Sequence, residues 1–300
     1  MQFIDKIRNY LRLVRKIKTL DCTYERNQLL FGRILSDHIT RHNSINENEF
    51  CIFSQFGDDG IIQFLIHNLE IRNKFFVEFG VEDYVESNTR FLMMNNNWSG
   101  FIMDGSKSNI QNIISASYYW KYDLTAEHLF VTKENINKAL ENNCPKEVGL
   151  LHIDLDGNDY WIWEEISAIS PIIVILEYNS VYGIDRAITV PYEPEFCRTK
   201  AHYSNLYWGA SLKALHNLSK EKGYVFIGCN SAGNNGYFIR KDKINEKVKE
   251  VSLEEGFIVS KYRESRDVNG QKTFITGDKR IEVVRGLEIY DTEKHIIEKL

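Results

Sequence analysis

Two carboxylates stand where apolar runs end. Glu78 follows Phe75-Phe76-Val77 and precedes Phe79-Gly80; Asp104 follows Phe101-Ile102-Met103, about one helix of sequence later. Read as strands, these runs put both acids at strand ends, and in an open α/β sheet ligands lie in the crevice beyond those ends. An acid closing the second strand is placed to hold a ribose, so the pair points to an adenosine-type cofactor. A dinucleotide needs GxGxxG, because backbone must approach a pyrophosphate closely. The turn Glu78-Phe79-Gly80-Val81-Glu82-Asp83 keeps only Gly80.

S-adenosylmethionine has no pyrophosphate and tolerates side chains in that turn. Glu78 would accept from its amino group, directly or through water, and Asp104 would take both ribose hydroxyls. The N-cap-rich segment Ser87-Asn88-Thr89 offers N–H groups suited to a carboxylate. Gly80, Gly105, Ser106, Asn88, Thr89, Asp154 and Gln55 (in the glycine-bearing turn Ser54–Gly60) complete the expected cofactor set.

A second acidic group lies further on. In His152-Ile153-Asp154-Leu155-Asp156-Gly157-Asn158-Asp159, Asp154 and Asp156 are two apart at the end of a strand. Side chains two apart on a strand share a face, so both aim at the crevice. Paired carboxylates there can hold a divalent ion with one member and remove a proton with the other. Glu177 and Asn179 end the next strand, and Asp154, Glu177 and Asn179 would make an oxygen-rich site suited to Mg²⁺. Plain strand-end capping by these acids is the alternative. Between Ser180 and Tyr207 a long loop carries Tyr182, Arg186, Tyr192, His202 and Tyr207, residues suited to stacking on a sugar and pairing with a phosphate. Loops of that length in compact domains are usually functional or disordered. His202 is the alternative general base, since imidazole titrates near neutrality.

Strands and helices alternate from Phe50 to Asp242, the pattern of βαβ units. Expected strands are 75–80, 100–104, 129–132, 148–154, 172–178, 224–229 and 236–240, with helices at 87–96, 110–117, 134–141, 160–166 and 211–222. The first five strands read as near-continuous apolar runs, as in strands covered on both faces. The last two are separated by a short turn and pair as an antiparallel hairpin. The fold class is therefore α/β: a Rossmann-like, seven-stranded, mostly parallel sheet with an antiparallel last strand and a helical N-terminal extension. Five alternating units closed by a hairpin is the order of the class I methyltransferase sheet, whereas a nicotinamide-binding sheet would need another parallel crossover. The division expected is a helical extension over 1–49, the sheet domain over 50–245, and an extension over 246–300 packed on it. A small hairpin around Gly277-Asp278, pairing 274–276 with 281–284, is also expected.

Residues 1 to about 45 read as a helix, with Phe3, Ile4, Ile7, Tyr10, Leu11, Val14 and Ile17 at helical spacing among Lys6, Arg8, Arg12, Arg15, Lys16 and Lys18. Such a helix docks on the main domain or on a second copy in a homo-oligomer; the sharper reading is peripheral contact with an anionic membrane. A polar break follows from Asn43 to Glu49. Net charge of −5 over 300 residues, with no clustered basic excess in the main domain, gives no sign of a nucleic-acid partner. Five scattered cysteines, none in CxxC spacing, read as reduced thiols. No run reaches the length of a membrane span and no secretory signal is evident, so a cytoplasmic enzyme is expected.

The segments SQFGDDG, FFVEFGVEDYVESNT, NNWSGFIMDGS, HIDLDGNDYW, ILEYN and YWGASLKAL, in this order and spacing over about residues 50–242, resemble the FkbM-type class I S-adenosylmethionine-dependent methyltransferases of bacterial surface-polysaccharide and antibiotic-sugar clusters. The tail carrying SKYRESRD resembles members of this group too. The resemblance implies methyl transfer to a hydroxyl, often on a sugar of a capsular polysaccharide or its nucleotide- or phospho-sugar precursor, with Glu78 and Asp104 on the cofactor. Similar metal-dependent sugar O-methyltransferases use DxD at the fourth strand, which carried over makes Asp154 the magnesium ligand and Asp156 the base. Those enzymes follow with two adjacent acids where this chain has Glu177-Tyr178-Asn179. Methylation of a phosphate or phosphoramidate oxygen, and a non-catalytic glycan-assembly protein of the same fold, are the alternatives.

Overall fold

A computed structural model describes residues 2–38 and 44–300. Helix α1 (Gln2–Ser36) leads the chain. The helix expected over 39–43, and the start of the polar break at Asn43, lie outside the described residues. Seven strands form the main sheet: β1 (Phe75–Phe79), β2 (Ser99–Asp104), β3 (Leu124–His128), β4 (Glu147–Ile153), β5 (Ser170–Glu177), β7 (Tyr224–Cys229) and β8 (Asn235–Arg240). Their order is β3-β2-β1-β4-β5-β8-β7. The first five are parallel, and β8 lies antiparallel between β5 and β7. Helices α2 (Asp58–Asn68), α3 (Arg90–Asn96), α4 (Lys107–Ser115), α5 (Ile136–Asn143), α6 (Asp159–Glu165) and α8 (Leu212–Glu221) cover the two faces. This is the expected α/β architecture, with its antiparallel strand where the hairpin places it.

The alternation of strand side chains divides the apolar runs between two cores. Phe76 and Ile102 pack with Ile61, Leu65 and Phe91 of α2 and α3. Their neighbours Val77, Phe101 and Met103 pack on the other face with Leu140, Trp163 and Leu215 of α5, α6 and α8. Each such fully buried side chain stabilises by about 1.5–3 kcal/mol. Gly100 pairs with Phe76 across β1 and β2, and a Cβ there would lie 2.1 Å from the Phe76 ring.

Two expectations change. The third strand is 124–128, not 129–132. As the sheet's edge strand it has one open flank and needs no continuous apolar run, so Leu-Thr-Ala-Glu-His serves. Leu129–Val131 instead continues as a loop lining a small pocket. Residues 281–284 belong to α10 (Lys279–Val284), where Val284 is buried beside Val181 and Leu206. The C-terminal hairpin is β9 (Glu288–Asp291) with β10 (Ile296–Lys299), and β9 also pairs with β6 (Ile188–Thr189) in a separate three-stranded sheet. Short helices α7 (Arg198–Ala201) and α9 (Leu253–Gly256) lie in the connections.

Candidate active site

A cleft of about 430 Å³ opens beyond the ends of β1, β2, β4 and β5. Its floor is fixed first by Glu78. Register places Glu78 of β1 opposite His152 of β4. Glu78 Oε1 accepts from Asn88 N at 3.0 Å and pairs with His152 Nδ1 at 2.9 Å. Oε2 accepts from Ser87 Oγ at 2.6 Å, Thr89 Oγ1 at 2.5 Å and Thr89 N at 3.3 Å. Burial would push the Glu78 carboxyl up, but His152 and the hydroxyl donors outweigh it and hold the pKa below the usual value. Burial pulls His152 down, but the hydrogen bond and charge of Glu78 win and raise it. Thus the N–H groups of Asn88 and Thr89 do receive a carboxylate, but it is the protein's own. Glu78 shapes the floor as a hub rather than offering free oxygens to an amino group.

Gly80 follows at φ +70°, where a Cβ would lie 1.8 Å from Asp154 O. Only glycine allows β1 and β4 to leave the sheet this close together. Asp104 ends β2; Oδ1 accepts from Ser106 N and Asn109 Nδ2, and Oδ2 from Glu82 N at 2.9 Å. Oδ2 therefore retains acceptor capacity. Beside it, Gly105, Leu129, Phe130, Leu155 and Phe196 line a small, mainly apolar pocket. Ser106 caps α4 through Asn109 N. Gln55 lies on the opposite wall of the cleft.

The acids of β4 and β5 meet as expected. Ile153 pairs with Leu176, so the next residues, Asp154 and Glu177, leave neighbouring strands side by side. Glu177 Oε2 is buried without a hydrogen-bond partner. Burial and the nearby Asp156 charge push Asp154 up to about 7, and burial and Asp154 raise Glu177. Two carboxyls so placed titrate as a unit, holding a proton or a cation between them. Asp156, at φ +53° on the rim, accepts from Arg198 Nη1 at 2.7 Å.

Asp154, Glu177 and Asp159 form a group that could hold a metal ion, their ligand atoms lying within 4.8 Å of one another. Asp159 already accepts from Leu155 N and Gly157 N. The orphaned Glu177 oxygen beside Asp154 fits a hard cation that keeps several waters, as Mg²⁺ does. Asn179 is not part of it: Nδ2 donates to Leu206 O and Trp208 O, and Oδ1 caps the turn at Val181 N.

The long loop delivers none of its expected substrate residues to the cleft lining. Tyr182 is buried with Ile188 and Ile289. Arg186 pairs with Glu298. Tyr192 donates to Glu134 over α5's start, and Tyr207 donates to Glu288 O. His202 Nδ1 meets Ser204 Oγ at 2.7 Å with its ring 4.2 Å from Tyr203, and burial lowers its pKa. Tyr182 and Tyr207 pack on the small sheet, and Tyr192 packs against Trp161. What the loop contributes is Arg198, held over Trp208. Sequence reasoning assigned no role to His152 or Asp58; the HxD spacing at a buried strand end was the available signal for His152. Asp58 accepts from Asn230, Asn235 and Tyr237 under the far wall.

A sheet of this order and direction, with its cleft at the carboxyl ends of β1, β2 and β4, has the class I methyltransferase fold. No family model and no curated protein matches the chain. Among solved structures, it is similar to the N-terminal domain of EvdMO1 with SAH bound, at TM-score 0.35 and 8% identity over 55% of this chain and 72% of that one. It is also similar to an S-adenosylmethionine-dependent methyltransferase from Clostridium acetobutylicum ATCC 824, at TM-score 0.35 and 9% identity over 61% of this chain and 89% of that one.

Proposed function

We propose that the protein is an S-adenosylmethionine-dependent O-methyltransferase acting on a sugar hydroxyl of a surface polysaccharide or its precursor. The observation that carries this reading is the charge of the cleft: eight acidic residues line it against one arginine, and that arginine is engaged with Asp156. S-adenosylmethionine brings an electrophilic methyl on a sulfonium, with a net charge of +1 from its elementary chemistry. A concave acidic surface attracts such a cation and holds the neutral demethylated product less well. The apolar pocket of Leu129, Phe130, Leu155 and Phe196 suits a base, and Asp104 Oδ2 suits a ribose hydroxyl.

The sugar assignment rests on the resemblance to FkbM-type enzymes. In this reading the cleft holds acceptor and methyl donor in line, and alignment supplies most of the rate. Asp154 takes the acceptor proton, with Glu177 beside it tuning it towards neutrality, where a general base works best. Asp156 is less free to reach that proton, since its Oδ1 is engaged by Arg198 Nη1 at 2.7 Å. Mg²⁺ held by Asp154 and Glu177 would take the place of the proton between them and instead lower the pKa of a hydroxyl nearby. The acidic lining also ranks an uncharged sugar above a phosphate or phosphoramidate acceptor.

Titration calorimetry with S-adenosylmethionine and its demethylated product tests the reading. Binding in the micromolar range is expected, the product more weakly. Absence of heat with both would refute the enzyme assignment and leave the glycan-assembly alternative. A mass-spectrometric screen of sugars, nucleotide-sugars and phosphosugars for a gained methyl then identifies the acceptor.

A further inference from the structure

We propose that α1 is an anionic-membrane docking helix that holds the cleft beside a lipid surface. This goes beyond the catalytic reading and does not depend on it. The helix is 35 residues long, about 50 Å at 1.5 Å per residue. Its C-terminal third is fastened to the body. Gly32 packs so close to Phe91 that a Cβ would lie 2.4 Å from the ring, and Gln28 donates to Ile52 O. Glu25 pairs with Arg90 at 2.8 Å.

On another face of the helix, Tyr10, Leu13, Leu20, Tyr24, Phe31 and Ile34 are 56–68% exposed. At 100° per residue they form one stripe. Arg12, Lys16 and Arg26 are exposed beside it. Residues 2–36 hold eight Lys/Arg against three Asp/Glu, whereas the remaining chain holds 29 against 39. A basic helix with an exposed aromatic and aliphatic stripe lies in the interface of an anionic bilayer, its rings among the acyl chains and its cations at the phosphates.

A second feature lies near the attached end of α1, where Tyr122 stands close to Glu25 and Arg33. Trp120 is 79% exposed, with Lys121 over its ring. Its neighbours Tyr119 and Tyr122 pack on the core patch that also takes Leu29 of α1. Tryptophan beside lysine suits the headgroup level. The same stripe has coiled-coil spacing, but a parallel second copy would set Lys6 and Lys16, both exposed along that stripe, against their own copies. Charge therefore favours the lipid surface. Arg90, which holds Glu25, also donates to Tyr84 O and Val85 O in the cleft's rim loop, so the docked helix is tied to the site.

Flotation of the full chain with phosphatidylcholine vesicles, with and without one-third phosphatidylglycerol, tests this. Binding is expected to the anionic vesicles, at least about tenfold above the neutral ones, and to fall as salt rises. Arg12→Glu with Lys16→Glu should weaken it by at least about tenfold, at roughly fivefold per basic residue. Leu20→Asp with Tyr24→Asp should abolish it, with an unchanged thermal transition showing that the body still folds. No flotation, or equal flotation of the variants, overturns the proposal. So does a lipid-free dimer that Leu20→Asp/Tyr24→Asp dissociates in ultracentrifugation while vesicles recruit nothing.

Discussion

Glu78→Gln separates two roles that the strand-end position alone leaves mixed. In the structure five donors converge on the Glu78 carboxylate, all in a buried setting. A glutamine amide placed at Oε1 faces Asn88 N, and placed at Oε2 it faces Thr89 N. The first leaves the buried Asn88 N–H unmatched, at about 1–3 kcal/mol; the second costs less, since Thr89 N keeps Ser87 Oγ as an acceptor at 3.1 Å. Losing the ionic partner of buried His152 adds to this, and breaking a buried pair costs about 3–5 kcal/mol where the remaining group stays charged. A net loss of about 3–5 kcal/mol lowers Tm by roughly 10 °C in a domain of this size. The carboxyl is held below its usual pKa and the imidazole above its own. Glu78's contribution is therefore present above the ordinary carboxyl pKa and lost as pH falls through its folded value. His152's contribution is full below its unfolded pKa and lost as pH rises through its folded one. The gap in Tm between wild type and variant should be widest between these limits and close at both ends, as measured by differential scanning calorimetry. A variant with wild-type Tm and a hundredfold loss of cofactor affinity would refute the hub and restore Glu78 as a direct cofactor contact.

Gly80→Ala should lower Tm and weaken cofactor binding together, because φ +70° and the 1.8 Å approach to Asp154 O both oppose a Cβ. Gly183→Ala, at φ +69° and ψ −161° with open space, isolates a backbone cost of about 1–3 kcal/mol; equal Tm losses in the two would remove the steric argument. The raised pKa values of Asp154 and Glu177 mean that the protonated pair stabilises the fold at low pH and that this is lost as pH rises towards 7 and above. Tm of the ligand-free protein should fall from about pH 4 to about 7, between the ordinary and the raised Asp154 values, and Glu177→Gln should flatten part of that fall, as thermal scans will show. Millimolar Mg²⁺ should raise the wild-type Tm by mass action but not that of Glu177→Gln; equal responses would place any ion elsewhere.

The sheet was legible because its inner strands are buried on both faces and so appear as unbroken apolar runs, Phe75–Phe79 and Ser170–Glu177 above all. Edge strand β3 was not, since Leu124–His128 needs only one buried side chain. The strand-end acids were legible for the same reason that they matter: a charge closing an apolar run stands out. Their partners were not, because Ser87–Thr89 offers N–H groups to any carboxylate and only the fold shows that Glu78 takes them. The aromatics and the arginine of the long loop have the chemistry of a sugar site, but that composition also suits packing. β9 lies some hundred residues later, and its pairing with β6 turns Tyr207 towards Glu288. Asn179 looked like a ligand and caps a turn, a role for which asparagine is equally fitted.

The walls of the cleft come from separate stretches: 55–58, 78–88, 104, 152–156, 177, 198 and 234–235. No fragment of the chain that lacks either end of this span contains the whole site. Partly folded species therefore offer a ligand little, and binding is coupled to completion of the sheet through its antiparallel strand. A tight ligand then acts as a folding partner: present at about a hundred times its Kd, it stabilises the folded chain by about 2.7 kcal/mol. Abundance of a destabilised variant in a cell would accordingly track the supply of that ligand, and a lesion at Gly80 or Glu78 would show first as lost protein and only then as lost turnover.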